Sequence, residues 1–424
     1  MNTLVTRSRI DKRGPWRRLF MRILANLQKG CVTVLDGEFS GTYGSGTPRV
    51  QLRVHAPRFY RRVLIGGSVG AGEAYVDGDW STDDLVPLVR LMSINRSVID
   101  RIDGGWMTVA RALDKFSHRL RKNTRFGSRR NIGAHYDLSN EFFALFLDER
   151  MMYSSAIFEP GQESLEVASR AKLERLCQKL ELEAGDHLLE VGSGWGGLAI
   201  YAASNFGCRV TTITISRQQY EEARRRVNAA NLGDRITVEF RDYRDVDGVF
   251  DKIVSVEMVE AVGDEYLRSY FQKLDALLKP GGLMVIQAIT IQDSRYIEAL
   301  HGVDFIKKHV FPGSFIPSVS RLVEAAASRT TIVLVNLEDF GLDYAKTLRN
   351  WRERFEQSRE RILSTGFDEA FIRMWRFYLS YCEGGFLERA ISDVQLTFVK
   401  SGYRGQPWRV QSASPIRPGT NENC

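Results

Sequence analysis

With 424 residues, 43% of them hydrophobic, the chain is long enough for two or three domains and apolar enough to bury a large core, which excludes wholesale disorder. Its net charge of +7 suits nucleic acid or an anionic membrane face and by itself chooses neither. Five cysteines at wide, irregular intervals (Cys31, Cys177, Cys208, Cys382 and Cys424) give neither a metal-ligand spacing nor a disulfide framework, so a reducing cytoplasm is expected.

No stretch approaches the ~18–20 apolar residues of a spanning helix. The apolar run 19–27 is broken by Arg22 and lacks a clear cleavage site, so no signal peptide is expected. In the basic segment before residue 30, Trp16, Leu19, Phe20, Ile23, Leu24 and Leu27 recur at helical spacing, with Arg17, Arg18 and Arg22 on other positions. Such a helix either lies on a membrane or packs on a domain with its basic side solvated. Short strands are expected at 51–54 and 63–65, then a helix over 83–92. Residues 1–95 make a small N-terminal domain, suited to lipid or dimer contacts. Residues 96–130 form a basic connector: over 111–130, Arg111, Lys115, Arg119, Arg121, Lys122, Arg125, Arg129 and Arg130 stand against one acid, Asp114. It is either a solvated tether or a contact for lipid phosphates. No nucleic-acid-binding module accompanies the charge, so nucleic acid is not an expected partner.

From residue 165 strands and helices alternate. Helices are expected over 165–180, 198–205, 217–230 and 265–278, the last stopped by Lys279-Pro280-Gly281-Gly282. Strands are expected at 187–191, 209–214, 236–240, 252–256, 283–289, 331–336 and, alternating, 393–400. That order implies an α/β domain with a mostly parallel, doubly wound sheet covered on both faces. Residues 343–390 read as helical and aromatic-rich, and 404–424 as a flexible tail.

Leu188-Leu189-Glu190-Val191-Gly192-Ser193-Gly194-Trp195-Gly196-Gly197 is a strand, a glycine turn and a helix start. Glycines let the backbone approach a ligand, and the helix N-terminus offers free N–H groups. An acid two residues before the first glycine, Glu190, suits an adenosylmethionine site. The second strand ends in Thr214-Ile215-Ser216 where a dinucleotide enzyme places a ribose-binding acid. Asp242-Tyr243 follows the third strand, where an acid receives an adenine amino group and a ring flanks the purine. A Rossmann-like domain for another nucleotide is the alternative.

Further blocks make the pattern specific: His135-Tyr136-Asp137-Leu138-Ser139-Asn140, Met152-Tyr153-Ser154-Ser155-Ala156, Thr214-Ile215-Ser216-Arg217-Gln218-Gln219, Glu257-Met258-Val259-Glu260-Ala261-Val262-Gly263, Val310-Phe311-Pro312-Gly313 and Asp339-Phe340-Gly341-Leu342-Asp343-Tyr344. In this order, over roughly 60–403, they resemble the cyclopropane-fatty-acyl-phospholipid synthase family. The run from Gly70 to Trp80 resembles that family's small N-terminal domain. The resemblance implies a Rossmann-like methyltransferase domain with helical insertions over 131–403, joined to a small α+β N-terminal domain. It implies S-adenosyl-L-methionine bound by Tyr153, Ser154, Leu188 to Gly196, Thr214 to Gln219 and Tyr243, with Asp242 beside it. It also implies a bicarbonate ion as base, held by Ser155, Glu260, Gln287, Ile289 and Tyr344, and a catalytic cysteine at Cys382. No metal is expected.

The sequence departs from the family at Ser155, where Cys is frequent, and at Gln287 and Ala261, where His is frequent. Cys382 has no cation beside it in sequence to favour a thiolate. The activity implied is transfer of a methylene to cis double bonds of phospholipid acyl chains in an anionic bilayer, by a cytoplasmic enzyme peripheral to the inner membrane face, acting either alone or as a homodimer. Methyl transfer without ring closure, and a non-catalytic lipid-binding protein on the same scaffold, are the rival readings.

Overall fold

The computed structural model describes residues 14–97, 138–161 and 163–406. Most of the basic connector, His135 and nearly all of the tail lie outside them.

The N-terminal elements are α1 (Pro15–Leu24), β1 (Gly30–Asp36), β2 (Phe39–Ser45), β3 (Arg49–Val54), α2 (Arg58–Val76), β4 (Trp80–Thr82) and α3 (Leu85–Ile94). The strands form one sheet in the order β2-β1-β3-β4. β1 alternates Val32 and Val34 inward, and β3 does the same with Val50, Leu52 and Val54, as a half-buried sheet requires. The expected strand at 63–65 is instead part of α2. Val63, Leu64 and Ile65 followed by two glycines read locally as a strand and a turn. In the fold they run in a helix that kinks at Gly67, whose φ of 53° is left-handed and favours glycine. α1 forms as expected, but Arg17 is not solvated. It is buried, its Nε donates to Asp36 Oδ2 at 2.7 Å, and its guanidinium lies 4.2 Å from the centre of the Phe39 ring.

The larger part contains α4 (Asn140–Ala144), α5 (Leu165–Lys179), β5 (His187–Val191), α6 (Gly197–Phe206), β6 (Arg209–Thr214), α7 (Arg217–Ala229), β7 (Ile236–Phe240) and β8 (Phe250–Val256). It continues with α8 (Leu267–Leu277), β9 (Leu278–Ile291), α9 (Tyr296–His301), α10 (Val319–Ala327), β10 (Ile332–Asp339), α11 (Gly341–Gln357), α12 (Arg359–Ser364), α13 (Glu369–Leu387) and β11 (Ile391–Lys400). Seven strands pair in the order β10-β11-β9-β8-β5-β6-β7. β9, β8, β5, β6 and β7 are parallel, and β11 and β10 add antiparallel at one edge. Neighbouring residues of each strand enter opposite cores: Leu188, Val254 and Val285 face α5 and α6, whereas Leu189, Ile253 and Ile286 face α8 and α10. Burying each such side chain contributes about 1.5–3 kcal/mol. This is the expected mostly parallel sheet covered on both faces.

Lys279-Pro280-Gly281-Gly282 does not lie in a loop after the helix. α8 ends at Leu277 and these residues already belong to β9, which is longer than its expected 283–289. A third core joins the N-terminal sheet to the aromatic helices α11 and α13. Arg90 pairs with Glu388 at 2.6 Å, and Glu73 with Lys308 at 2.9 Å, across the same junction. No helix among the described residues is long and apolar enough to cross a membrane.

Candidate active site

β5 and β8 are neighbours, and the chain leaves them in opposite directions, β5 towards β6 and β7, β8 towards β9. Ligands of open α/β sheets bind at the carboxyl ends of such a pair. A cavity of about 1110 Å³ opens there and continues to α1, α2 and α3. Pockets for one small molecule hold roughly 300–1000 Å³, so this space suits a cofactor together with part of a long second ligand.

Glu190, Val191, Gly192, Ser193, Gly194 and Trp195 line the cofactor end, with Thr214, Ile215, Gln219, Asp242 and Tyr243 from the next strands and Tyr153 and Ser154 from the loop before α5. Glu190 Oε2 is buried without a hydrogen-bond partner, and burial pushes the carboxyl up to about 8. A buried acceptor left open at a cavity wall fits a ligand that brings a donor or a cation. A Cβ built on Gly194 meets nothing within 4 Å, so this backbone faces open space that a ligand can approach closely. The residues present therefore fit adenosylmethionine. Asp242 is gripped by Arg244, whose N, Nε and Nη2 donate to it at 3.0, 2.8 and 2.6 Å. Tyr243 is braced edge-on by Tyr270 at 5.2 Å between ring centres. Trp195 is held by a 2.7 Å hydrogen bond from its Nε1 to Asn140 Oδ1.

Other expected cofactor residues do not line the cavity. Leu188 and Leu189 are fully buried in opposite cores, because successive strand residues alternate. Gly196 caps α6, Ser216 caps α7 through the backbone N–H of Gln219, and Arg217 lies over Phe240 at 5.0 Å. Gln218 is likewise off the wall.

The residues expected around bicarbonate do converge, but on carboxylates of the chain. Ser155 N and Gln287 Nε2 donate to Glu257 Oε1 at 2.7 and 2.8 Å, and Tyr344 OH donates to Glu257 Oε2 at 2.6 Å. Ile289 N donates to Glu260 Oε1 at 2.6 Å, while Glu260 Oε2 is buried without a partner. Burial, then the neighbouring Glu257, push the Glu260 carboxyl up to about 8. Glu257, Glu260, Ile289 and Tyr344 face the cavity, with Ser155 and Gln287 behind Glu257. Gln287 also donates to Asp393 Oδ2 at 3.0 Å, and burial raises the Asp393 carboxyl well above its ordinary range.

Cys382 lines the cavity on α13, where burial pushes its thiol up and away from the thiolate. Cys382→Ser is expected to keep at least about half of the turnover, since an oxygen of similar size replaces a neutral thiol. A steady-state assay decides it: a well-folded serine variant without activity would return the catalytic role to the sulfur.

Three residues of the site carried no assigned role in the sequence: Glu257, Asp393 and Lys172. Glu257 stands three residues before Glu260 in a motif already singled out, and the pair at the end of β8 is the signal that was available. Asp393 opens an alternating strand whose polar face, Asp393 and Gln395, turns inward against Gln287. Lys172 stands on α5. It is fully buried, donates to Ser154 Oγ at 2.7 Å, and is held below its usual pKa by burial, with Glu257 opposing.

A glycine turn at the switch point of this sheet, with an open acceptor on β5, defines an S-adenosylmethionine-dependent methyltransferase. The mycolic acid cyclopropane synthetase family matches residues 123–396, and the chain belongs to it. It is 39% identical over 369 residues to the tuberculostearic acid methyltransferase UfaA1 of Mycobacterium tuberculosis, covering 85% of this chain and 86% of that protein. It is 34% identical over 377 residues to the cyclopropane-fatty-acyl-phospholipid synthase of Escherichia coli, covering 85% and 91%. Among solved structures, the mycolic acid cyclopropane synthase CmaA1 complexed with SAH and CTAB superposes with a TM-score of 0.60 at 28% identity, over 64% of this chain and 98% of that one. The cyclopropane synthase MmaA2 from Mycobacterium tuberculosis gives 0.60 at 27%, with the same coverage. The family supports one-carbon transfer from S-adenosylmethionine to lipid acyl chains.

Proposed function

We propose that this enzyme moves the methyl carbon of S-adenosylmethionine to a cis double bond of a phospholipid acyl chain and closes a cyclopropane ring. The observation that carries the reading is the single cavity joining the glycine turn to the apolar residues of α1, α2 and α3, with carboxylates at the junction. The cofactor supplies an electrophilic methyl group. The chain's own residues have three tasks: to align the alkene with that methyl, to exclude water, and to accept a proton. Ile23, Leu24, Val63, Leu64 and Leu88 give the apolar walls an acyl chain needs. Tyr153, Phe311 and Tyr378 stand together at the reacting end, the two hydroxyls 2.9 Å apart, and offer ring faces to a developing cation.

A bilayer as the source of the acyl chain is supported by α1. This helix lines the cavity with Ile23 and Leu24 and exposes Trp16 and Leu19 beside Arg18 and Arg22. Apolar anchors flanked by cations suit an anionic lipid surface.

A second reading, methyl transfer without ring closure, is favoured by the 39% identity to a protein named as a methyltransferase. Expression in a host lacking the activity, followed by mass spectrometry of the lipids before and after mild hydrogenation, separates the two. A cyclopropane survives hydrogenation and a methylene group does not. An unchanged lipid profile with intact cofactor binding would sink both.

Leu88→Trp is expected to lower kcat/KM on long acyl substrates at least about tenfold, or about 1.4 kcal/mol, by narrowing the apolar channel. Adenosylmethionine affinity, read by calorimetry, stays within about twofold because Leu88 lies on α3, away from the glycine turn. Unchanged kcat/KM would remove the acyl chain from this part of the cavity.

A further inference from the structure

The anion cradle at the ends of β8 and β9 is filled by the chain itself. Ser155 N, Gln287 Nε2 and Tyr344 OH point at one side chain, Glu257. The other proton of Gln287 Nε2 goes to Asp393, and Ile289 N serves Glu260. A backbone N–H and a phenol carry one proton each, and a primary amide carries two. Each proton expected to hold a bicarbonate thus already has an acceptor within the protein. A bicarbonate brought here would meet the Glu257 carboxylate in place of these donors, and like charges in a confined apolar site repel. The residues present do not fit that ion.

The backbone points the same way. Glu257 has a φ of 48°, in the left-handed region where a residue with a side chain is uncommon. Strained backbone at the end of a strand persists where the surroundings hold it, and it gathers at functional sites. Here the strain turns the Glu257 side chain out of the sheet and into the cavity, where its three donors meet it.

We propose that Glu257 is the built-in anionic base of this enzyme, taking the place that the family resemblance gives to a bound bicarbonate. The inference rests on the one-carbon transfer proposed above. In that reaction the alkene π pair forms a bond to the methyl carbon while the carbon–sulfur bond breaks with its pair left on sulfur. The other alkene carbon becomes cationic. A C–H bond of the new methyl then gives its pair to that carbon, closing the ring, and the proton passes to the Glu257 carboxylate. Release of that proton to solvent restores the base.

Of the carboxyls gathered here, Glu257 is the one that three hydrogen-bond donors converge on. Burial raises it, but Tyr344, the Ser155 N–H and the Lys172 ammonium pull it back down. Ile289 N serves Glu260 and Gln287 Nε2 serves Asp393, and burial together with the neighbouring Glu257 raises both carboxyls.

The test compares wild type, Glu257→Gly and Glu257→Gln in carbon-dioxide-depleted buffer and with added bicarbonate. Wild-type turnover is expected to be the same within twofold in both. Glu257→Gly frees the three donors and accepts the positive φ. It is expected to lose at least a hundredfold in depleted buffer and to regain at least tenfold with bicarbonate. Glu257→Gln keeps the cradle filled with an amide, so it is expected to lose at least a hundredfold and not to be rescued. A titration of ¹³C-bicarbonate by NMR reads binding directly, with the glycine variant broadening the signal and wild type not. Cofactor affinity by calorimetry confirms that each variant is folded. Wild-type turnover that rises with bicarbonate, or a glutamine variant that stays active, overturns the proposal. If wild type turns over no unsaturated lipid in either buffer, the proposed function fails by itself. The titration still decides the base, since binding of bicarbonate to wild type would overturn it and its absence there, with binding to Glu257→Gly, would uphold it.

Discussion

Gly194→Val is expected to abolish adenosylmethionine binding while the protein stays folded. Gly194 has a φ of 47°, and a Cβ there projects into open space at the cavity wall. Valine suffers twice. Its branched side chain enters space the cofactor needs, and the left-handed backbone costs it about 1–2 kcal/mol. Relaxation of that strain would also move the N–H groups of the turn. The loss of affinity is expected to exceed a hundredfold, or about 2.7 kcal/mol. Because the Cβ touches no protein atom within 4 Å, the core is not disturbed, and a circular dichroism melt is expected to keep a single cooperative transition. Calorimetric titration reads the affinity. Binding within tenfold of wild type would take the cofactor away from this turn.

Tyr344→Phe is expected to leave cofactor binding within about threefold of wild type and to cut turnover by about 10²–10³. The phenol donates to Glu257 Oε2 at 2.6 Å, while its ring stacks on Phe386 at 4.5 Å. Phenylalanine keeps the stack and removes one hydroxyl, so the substitution isolates the hydrogen bond. Without it, Glu257 loses a donor that favours the ionised form, and burial shifts its carboxyl further up. The base is then both misdirected and more often protonated. A partial return of activity at raised pH is expected, since higher pH restores the carboxylate but not its orientation. Single-turnover rates across pH check this. A rate near that of wild type at every pH would exclude Tyr344 from orienting the base.

Much of the fold is legible locally. The strands at 209–214 and 236–240 match their expected limits, and the glycine turn sits between β5 and α6. Apolar runs bounded by turn residues report a buried parallel strand through neighbours alone. The misreadings have the opposite character. Residues 63–65 carry β-branched and leucine side chains before two glycines, and only the packing of Arg58–Val76 against α13 and the small sheet makes them helical. Lys279-Pro280-Gly281-Gly282 is a helix stop by composition. Pairing of Leu278 with Phe250, and of Leu283 onward with both β8 and β11, encloses it within β9 at an irregularity of the ladder.

The cofactor cradle was determined by sequence because its parts are close together along the chain: a strand, a glycine turn and a helix start within ten residues, and an acid two residues before the turn. The base was decided by tertiary structure. Glu257 meets Ser155 across 102 residues, Gln287 across 30 and Tyr344 across 87. Lys172, which carried no assigned role in the sequence, is buried within its electrostatic reach. Sequence places an acid at position 257, but whether that acid is charged depends on which donors surround it and how much water is excluded. Those quantities belong to the assembled cavity. In solvent the same side chain would be an ordinary carboxylate with no chemistry of its own.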